Sequence, residues 1–239
     1  MEFIPYGRQS IDESDVQAVV DVLRSDFLTQ GPVIKKFENK IAEVVGVEHC
    51  IVVNSATSAL HIACCALGVG KGDIVWTTPI SFVASSNCAL YCGAEIDFVD
   101  IDPKTYNLSP EALAEKLSKA EAKNRLPKVV IPVHLSGLPC DMHAIGNLAK
   151  RYGFRIIEDA SHAIGARYRE QAVGSCQYSD ITVFSFHPVK LITSGEGGCA
   201  TTRDPELAET LRLLCSHGIT RDEEHMTKPS DGPWYYQQI

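Results

Sequence analysis

Several patterns that define common protein classes are missing from this sequence. None of its nine cysteines forms a Cys-x-x-Cys pair, and most lie among small apolar residues, which favours reduced core thiols over a disulfide framework or a zinc site. No apolar run approaches the ~18 residues of a membrane span, and the first residues lack the basic start of a signal peptide. We therefore expect a cytoplasmic protein with no membrane segment and no metal.

Excess positive charge is also missing. The sequence has 22 Lys and Arg against 30 Asp and Glu, a net charge of −8, which argues against nucleic-acid or membrane-surface binding. No Gly-x-Gly-x-x-Gly follows the first strand pattern, which disfavours a dinucleotide-binding oxidoreductase. With 239 residues and 45% hydrophobic content, the chain is long and apolar enough to bury one large core.

Helical and strand patterns alternate along the chain. A capping-box pattern at residues 10–13 predicts a first helix ending near Ser25, and a second amphipathic pattern stops at Gly46. Serine and proline at 109–110 open a further helix, and another is predicted from Asp141 to Tyr152. Short apolar or β-branched runs predict strands at 49–53, 74–77, 95–99, 128–133, 154–158, 180–186 and 198–202.

This alternation predicts an α/β fold with a mostly parallel central sheet flanked by helices. Residues 49–53, rich in β-branched side chains, are expected to form a strand covered on both faces within that sheet. In parallel sheets, ligands bind beyond the carboxyl ends of the strands. Chemically active residues are therefore expected just after the predicted strands.

A lysine in a glycine-rich segment is the most informative of these residues. Lys190 follows a β-branched and aromatic run and precedes Gly195, Gly197 and Gly198. A lysine amine held by partial burial or by neighbouring positive charge loses its proton more readily and can condense with an aldehyde. The segment therefore predicts either a Schiff-base lysine or an ordinary exposed loop lysine.

Other strand ends carry residues that suit a flat, phosphorylated cofactor. Small and hydroxyl-bearing residues at 54–58 predict an anion cradle or a plain helix N-cap. Asp159 fits either an N-cap or the partner of a protonated pyridine nitrogen, and His162 fits either a ring contact or the core. Phe82 fits a stacking platform or the core, and Ser185 is placed to offer a hydroxyl to a phosphate.

Together these segments resemble the DegT/StrS family of pyridoxal-phosphate-dependent nucleotide-sugar aminotransferases, which have the type I aminotransferase fold. The most recognisable matches are the Asn-Ser-Ala-Thr-Ser run at 54–58 and the Glu-Asp-Ala-Ser-His run at 158–162. The matching segments follow one another along nearly the whole chain, at residues 28–32, 54–60, 77–84, 132–135, 158–163 and 184–198.

The resemblance implies a role for individual residues. Lys190 would form the Schiff base with pyridoxal phosphate and carry the proton between cofactor and substrate carbon, and Asp159 would face the pyridine nitrogen. Further cofactor contacts would come from Phe82 at the ring face, His162 near the phenolic oxygen, and Ala56, Thr57 and Ser185 at the phosphate. The sugar-nucleotide pocket would include Tyr6, Asp26, Phe27, Leu28 and Thr29.

The resemblance also implies a reaction. We expect transfer of an amino group, from L-glutamate, to C4 of a UDP-linked 4-keto-6-deoxy-N-acetylhexosamine, by a homodimer with shared active sites. A GDP- or dTDP-linked ketosugar is an alternative substrate, and a non-catalytic regulatory or assembly protein is an alternative role. Relatives with histidine in place of the lysine are dehydratases, so Lys190 favours transamination.

The resemblance bears on domain organisation as well. Residues 1–239 correspond to the large cofactor-binding domain, with residues 1–31 as its N-terminal arm. Family members continue well past residues 234–239 into a smaller C-terminal domain that completes the active site. We therefore expect that domain to be missing from this chain, and the isolated chain to be inactive or weakly active.

Overall fold

The computed structural model describes Ile4 and residues 7–238. Within these residues, seven α-helices alternate with strands. The helices are α1 (Glu13–Leu23), α2 (Pro32–Val45), α3 (Ala56–Ala66), α4 (Ala84–Tyr91), α5 (Pro110–Glu121), α6 (Met142–Tyr152) and α7 (Pro205–Leu214). The strands are β1 (His49–Val53), β2 (Ile74–Thr77), β3 (Glu95–Phe98), β4 (Val129–Ile131), β5 (Arg155–Asp159), β6 (Arg167–Tyr168), β7 (Gln171–Ala172), β8 (Ile181–Ser185), β9 (Gly198–Thr202), β10 (Ile219–Thr220) and β11 (Gln237–Gln238).

A seven-stranded sheet forms the centre of the fold, in the order β1-β9-β8-β5-β4-β2-β3. Parallel pairing runs from β3 through β2, β4 and β5 to β8. Within this sheet β9 runs in the opposite direction and pairs antiparallel with both β8 and β1. The carboxyl ends of β1, β2, β4, β5 and β8 therefore meet at one edge, as predicted for a mostly parallel α/β sheet.

Helices cover both faces of the sheet, and each face buries an apolar cluster. On one face, α3, α4 and α7 pack on the strands through residues such as Leu60, Cys88 and Leu211. On the other face, α5 and α6 form a second cluster, and α2 forms a third that includes Phe184 of β8. No helix in the described part of the chain is long and apolar enough to cross a membrane.

Local chemistry explains where most helices begin and end. The Ser109 hydroxyl accepts a hydrogen bond from the amide of Ala112 and Pro110 occupies the first turn of α5, as predicted. Asp141 caps α6 in the same way. Helix α2 ends at Gly46, whose φ of 70° is a left-handed conformation that glycine adopts without strain.

Three expectations about local structure are wrong in detail. The first helix is capped by Asp12, with Asp15 completing the capping box, because the Asp12 carboxylate reaches the amides of Ser14 and Asp15. It ends at Leu23 with Arg24 as the C-cap residue, close to the predicted end near Ser25. Strand β4 is shorter than predicted, because Pro132 has no N–H for the ladder and Val133 makes only an isolated bridge to Asp159.

The third correction concerns β1, which is an edge strand. We expected residues 49–53 to lie inside a parallel sheet, but β1 pairs only with β9, and antiparallel. Its β-branched residues are explained by packing: α2, α3 and α7 contact it, and Cys50 and Ile51 are buried. The pattern of apolar residues in a strand indicates which residues are buried. It does not indicate whether the strand runs parallel or antiparallel, because that depends on the distant strand with which it pairs.

A buried carboxylate ties α2 to α7 and β1. Glu38 is 2% exposed, and its two oxygens accept hydrogen bonds from the Arg212 guanidinium at 3.2 and 3.1 Å. The same carboxylate accepts the backbone N–H of Val52 at 3.1 Å. A bidentate pair of this kind is geometrically specific, and removing one partner leaves a buried charge.

We expect Arg212→Ala to lower the free energy of unfolding by about 1–3 kcal/mol, because Glu38 loses its main counter-charge. Lys40→Ala is the control, since the Lys40–Glu43 pair is exposed and its loss should cost no more than about 0.5 kcal/mol. Urea unfolding of both variants measures the difference. Equal midpoints would show that the Glu38 pair contributes nothing to stability.

Candidate active site

A cavity of about 340 Å³ lies at the carboxyl edge of the sheet. Its walls come from the segments that follow β1, β2, β4, β5 and β8. The cavity brings together every residue predicted for the cofactor, namely Ala56, Thr57, Phe82, Asp159, His162, Ser185 and Lys190. These residues are far apart in sequence, so the sheet topology alone makes them neighbours.

The start of α3 forms one wall. Ser55 is the N-cap, and its hydroxyl accepts the amide hydrogen of Ser58 at 3.1 Å. Ser55 therefore caps α3, which was one of the two interpretations of residues 54–58. The cap does not exclude the other interpretation, an anion cradle. The first-turn amides of Ala56 and Thr57 have no partner within the helix, and both residues line the cavity. Amides of this kind and the helix dipole favour an anion at this wall.

Strand β9 approaches this wall so closely that only glycine fits. A Cβ atom on Gly198 would lie 2.4 Å from the Ala56 nitrogen and 2.6 Å from the Ser55 carbonyl carbon. The register places Gly198 beside both Val53 and Ser185, so the ends of β1 and β8 meet at the same level. Ser185 is buried and lines the same part of the cavity.

Asp159 is buried at the end of β5 and is held by three donors. Its Oδ1 accepts the N–H and the hydroxyl of Ser161 at 3.1 and 2.6 Å, and its Oδ2 accepts the Ser85 hydroxyl at 2.7 Å. Among the described residues Asp159 begins no helix, so the N-cap alternative is wrong. Each carboxylate oxygen has two lone pairs, which leaves capacity for a further donor in the cavity.

His162 presents a defined side of its ring to the cavity. The backbone N–H of Ser136 donates to its Nδ1 at 3.2 Å, so in the neutral ring the hydrogen is on Nε2. Burial lowers the pKa of His162, and the Lys190 charge lowers it further, while Asp159 acts in the opposite direction. The neutral ring is thereby favoured, with Nε2–H as a donor.

Lys190 lies in the loop between β8 and β9, half-buried on the cavity wall. Burial lowers the pKa of its ammonium, although the negative charge of Asp159 acts to raise it. The described part of the chain offers no hydrogen-bond acceptor to its Nζ. The ordinary exposed loop lysine is therefore the weaker interpretation of this segment.

Phe82 is on the cavity rim rather than in the core. Its side chain is 73% exposed, which leaves the ring face available.

The residues predicted for a sugar-nucleotide pocket are not brought together with the cavity. Asp26, Phe27, Leu28 and Thr29 follow α1 and do not line the cavity, and Tyr6 lies outside the described residues.

The residues that orient these groups were not predicted from the sequence. Ser85, Ser161 and the Ser136 amide set the positions of Asp159 and His162, and Gly198 lets β9 reach the cradle. Serine is too common for its spacing to indicate such partners. The one available signal was Ser81 and Ser85 at helical spacing after a strand end.

The other side of β5 carries a buried polar network. Glu158 faces away from the cavity and accepts hydrogen bonds from His134 at 2.7 Å, from Thr182 at 3.1 Å and from Ser179. Burial raises the pKa of Glu158, but these hydrogen bonds outweigh that effect and leave it below the ordinary value. His134 Nδ1 also accepts the Cys140 amide, which anchors the loop that holds Ser136.

The central sheet, its flanking helices and this cavity define the type I aminotransferase fold. Comparisons with known proteins are specific: residues 9–231 match the DegT/DnrJ/EryC1/StrS aminotransferase family. The chain belongs to this family, which confirms the family and the fold predicted from the sequence.

Individual relatives cover nearly all of the chain. It is 43% identical over 218 residues to the UDP-4-amino-4,6-dideoxy-N-acetyl-beta-L-altrosamine transaminase of Campylobacter jejuni, covering 91% of this chain and 56% of that protein. Among solved structures, Helicobacter pylori PseC, an aminotransferase involved in the biosynthesis of pseudoaminic acid, matches with a TM-score of 0.85 and 34% identity over 93% of this chain and 58% of its own.

A second structural match was solved with a cofactor. The PLP form of Spr1654 from Streptococcus pneumoniae, assigned as a sugar aminotransferase, has a TM-score of 0.82 and 29% identity, covering 99% of this chain and 61% of that one. The chain spans 56–59% of the length of the curated relatives it matches.

The charges in the cavity make a prediction about His162. In protein without added cofactor, Lys190→Ala should raise the pKa of His162 towards its ordinary value, because a neighbouring positive charge is removed. NMR titration of the His162 ring measures this pKa, and Lys40→Ala, which removes a charge from an exposed pair on α2, is the control. A fall in the pKa in Lys190→Ala would contradict the proposed electrostatics.

Proposed function

We propose that this chain is the cofactor-binding part of a pyridoxal-phosphate-dependent sugar aminotransferase. The observation that carries the proposal is the cavity in which the Lys190 amine and the Asp159 carboxylate lie with the free amides at the start of α3. Family membership and the PLP form of a structural relative support pyridoxal phosphate as the cofactor. The family resemblance carried by the same segments predicted this cofactor.

The donor set suits each part of that cofactor. The amides of Ala56 and Thr57, with the Ser185 hydroxyl, would hold the phosphate, and the Asp159 carboxylate would accept the pyridine N–H. Phe82 would cover one face of the ring, and His162 Nε2–H would donate to the phenolic oxygen. Because Gly198 has no side chain, β9 can pass directly against the backbone of Ser55 and Ala56. A Cβ atom at this position would collide with that backbone and displace the amides that would bind the phosphate.

Pyridoxal phosphate, when bound, supplies an aldehyde that condenses with amines and a pyridinium ring that withdraws electrons from the reacting carbon. The chain would supply the nucleophile and the base. Because burial lowers the pKa of Lys190, more of its amine is neutral than in an exposed lysine. Once released from the cofactor, the same amine would take and return the proton at the substrate carbon.

Asp159 would act by orientation and charge. Ser85 and Ser161 fix both carboxylate oxygens, so the acceptor faces one direction without further ordering. An ion-paired carboxylate holds the proton on the pyridine nitrogen, which maintains the electron-withdrawing ring. A neutral amide at this position would orient similarly but would lack the charge.

We further propose a UDP-linked 4-keto-6-deoxy-N-acetylhexosamine as the acceptor, aminated at C4, with L-glutamate as the amino donor. The relative from C. jejuni, named as a transaminase of a UDP-linked amino sugar, supports this choice. GDP- and dTDP-linked ketosugars and a non-catalytic role are the alternatives. The cofactor is first converted to its amino form with L-glutamate, and the protein is then titrated with each ketosugar. Only an acceptor ketosugar takes the amino group and restores the absorbance of the aldehyde form, whereas a non-catalytic protein shows neither change.

A homodimer with shared active sites is part of the proposal. Large apolar side chains are exposed around the cavity and in the segment before α2, which favours a covering partner. They are Phe27, Leu28, Phe82, Val189, Leu191 and Ile192. We propose that Asp26–Thr29 and Tyr6 contribute to a substrate pocket only in that assembly.

We also propose that the protein is cytoplasmic. Free thiols at all nine cysteines support a reducing compartment such as the cytoplasm.

The proposed domain organisation is the one that the family resemblance implies. We propose that residues 1–239 act as the large domain, with residues 1–31 as an arm. Helix α1 within the arm buries none of its residues, which supports a role away from the core.

Lys190 should be the only site at which the cofactor becomes covalently fixed. After loading with pyridoxal phosphate and reduction with borohydride, peptide mapping should find the adduct on Lys190, and Lys190→Ala should carry none and lack transamination. Lys104→Ala, at an exposed position, should behave as the unmodified protein. An adduct on another lysine would refute the assignment.

The hydrogen bond from Ser85 to Asp159 gives a graded test. Asp159→Asn should slow the glutamate half-reaction by about 100-fold or more without unfolding, and Ser85→Ala by about 10-fold, because it loses one orienting donor. Ser86→Ala is the matched control, since within the described residues the Ser86 hydroxyl donates a hydrogen bond only to the Val83 carbonyl. Cofactor retention on dialysis gives a second readout. Wild-type rates in Asp159→Asn would rule out the electron-sink role.

A further inference from the structure

Three side chains of types that commonly ligate metals lie close together between α3 and α4, outside the cavity. Their donor atoms, one each from His61, Cys65 and Cys92, all lie within 4.8 Å of one another. His61 and Cys65 are four residues apart on α3 and so share one face of that helix. Cys92 is the C-cap residue of α4.

The distance between the two sulfur atoms matches a shared metal ion. Cys65 Sγ lies 3.7 Å from Cys92 Sγ. Two thiolates bound to one tetrahedral Zn²⁺ at about 2.3 Å each are about 3.8 Å apart. A disulfide would require about 2.05 Å. The helices therefore already hold the sulfurs at the spacing of metal ligands.

The surroundings are those of a site with one open side. His61, Cys65 and Cys92 are each partly buried, whereas Cys64 and Cys88 beside them are fully buried. The Tyr91 ring packs edge-on against His61 with a centroid distance of 5.4 Å, which restricts the imidazole. Partial burial gives an ion an entry path, and a set of three protein ligands leaves the fourth coordination position to water.

We propose that His61, Cys65 and Cys92 bind a Zn²⁺ ion with water in the fourth position. Two thiolates and one imidazole are a ligand set that zinc prefers, and the two sulfur atoms already lie at the spacing that a shared ion requires. The site would join the middle of α3 to the end of α4. It is independent of the proposed aminotransferase activity.

The sequence alone disfavours this site. Cys65 and Cys92 are 27 residues apart and come from different helices, so no metal-binding spacing is visible along the chain. The interpretation of all these thiols as core residues therefore followed from their neighbours. Only the packing of α4 on α3 brings Cys92 to the face shared by His61 and Cys65.

The test is a titration of the reduced, metal-free chain with Co²⁺, a spectroscopic substitute for Zn²⁺. We expect one equivalent to produce thiolate-to-cobalt charge-transfer bands and the intense visible bands of tetrahedral Co²⁺, and Zn²⁺ to remove both. Difference spectra against the same protein without cobalt cancel any cofactor absorbance. Zn²⁺ should also raise the melting temperature, because it binds the folded state.

Variants identify the ligands. Cys92→Ser and His61→Gln should each weaken Co²⁺ binding at least tenfold, and circular dichroism of the metal-free proteins checks that they fold. Cys215→Ser, which removes an exposed thiol elsewhere, and Cys88→Ala, which removes a neighbouring buried thiol, should keep the bands. Absence of tetrahedral bands in the parent chain, or their persistence unchanged in Cys92→Ser, would overturn the proposal.

Discussion

The pairing of β5 with its neighbours determines where the reactive groups lie. Strand β5 is hydrogen-bonded to β4 on one side and to β8 on the other, with Asp159 opposite Val183. Successive side chains of a strand point to opposite faces, so Asp159 faces the cavity while Glu158 faces the network behind the sheet. Strand β5 thus carries both Asp159, the carboxylate of the candidate site, and Glu158, the carboxylate that holds the buried polar network behind it.

That network reaches the cavity through the loop after β4. Glu158 binds His134, and His134 accepts the Cys140 amide, so both ends of the loop are held. Within this loop the Ser136 amide donates to His162 and selects its tautomer. A polar network that is fully hydrogen-bonded is rigid, and here the rigidity is passed to a group that faces the cavity.

Helices α3 and α4 connect the two sites that we propose. The N-terminal end of α3 supplies the free amides of the anion cradle, and α4 supplies the Ser85 hydroxyl that holds Asp159. The cysteine and histidine cluster lies further along the same two helices. A metal ion there would restrain their relative position at the opposite end from the cavity.

Much of this organisation follows from the sequence, because strong local signals agree with the fold. Alternating apolar patterns and helix caps predicted the α/β class, and the segments around Asp159 and Lys190 predicted the cavity. Local patterns could not show that β1 pairs antiparallel at the sheet edge, that Ser85 reaches Asp159 across 74 residues, or that Cys92 meets Cys65. These contacts depend on how distant elements pack, which no short stretch of sequence encodes, so the tertiary structure alone decided them.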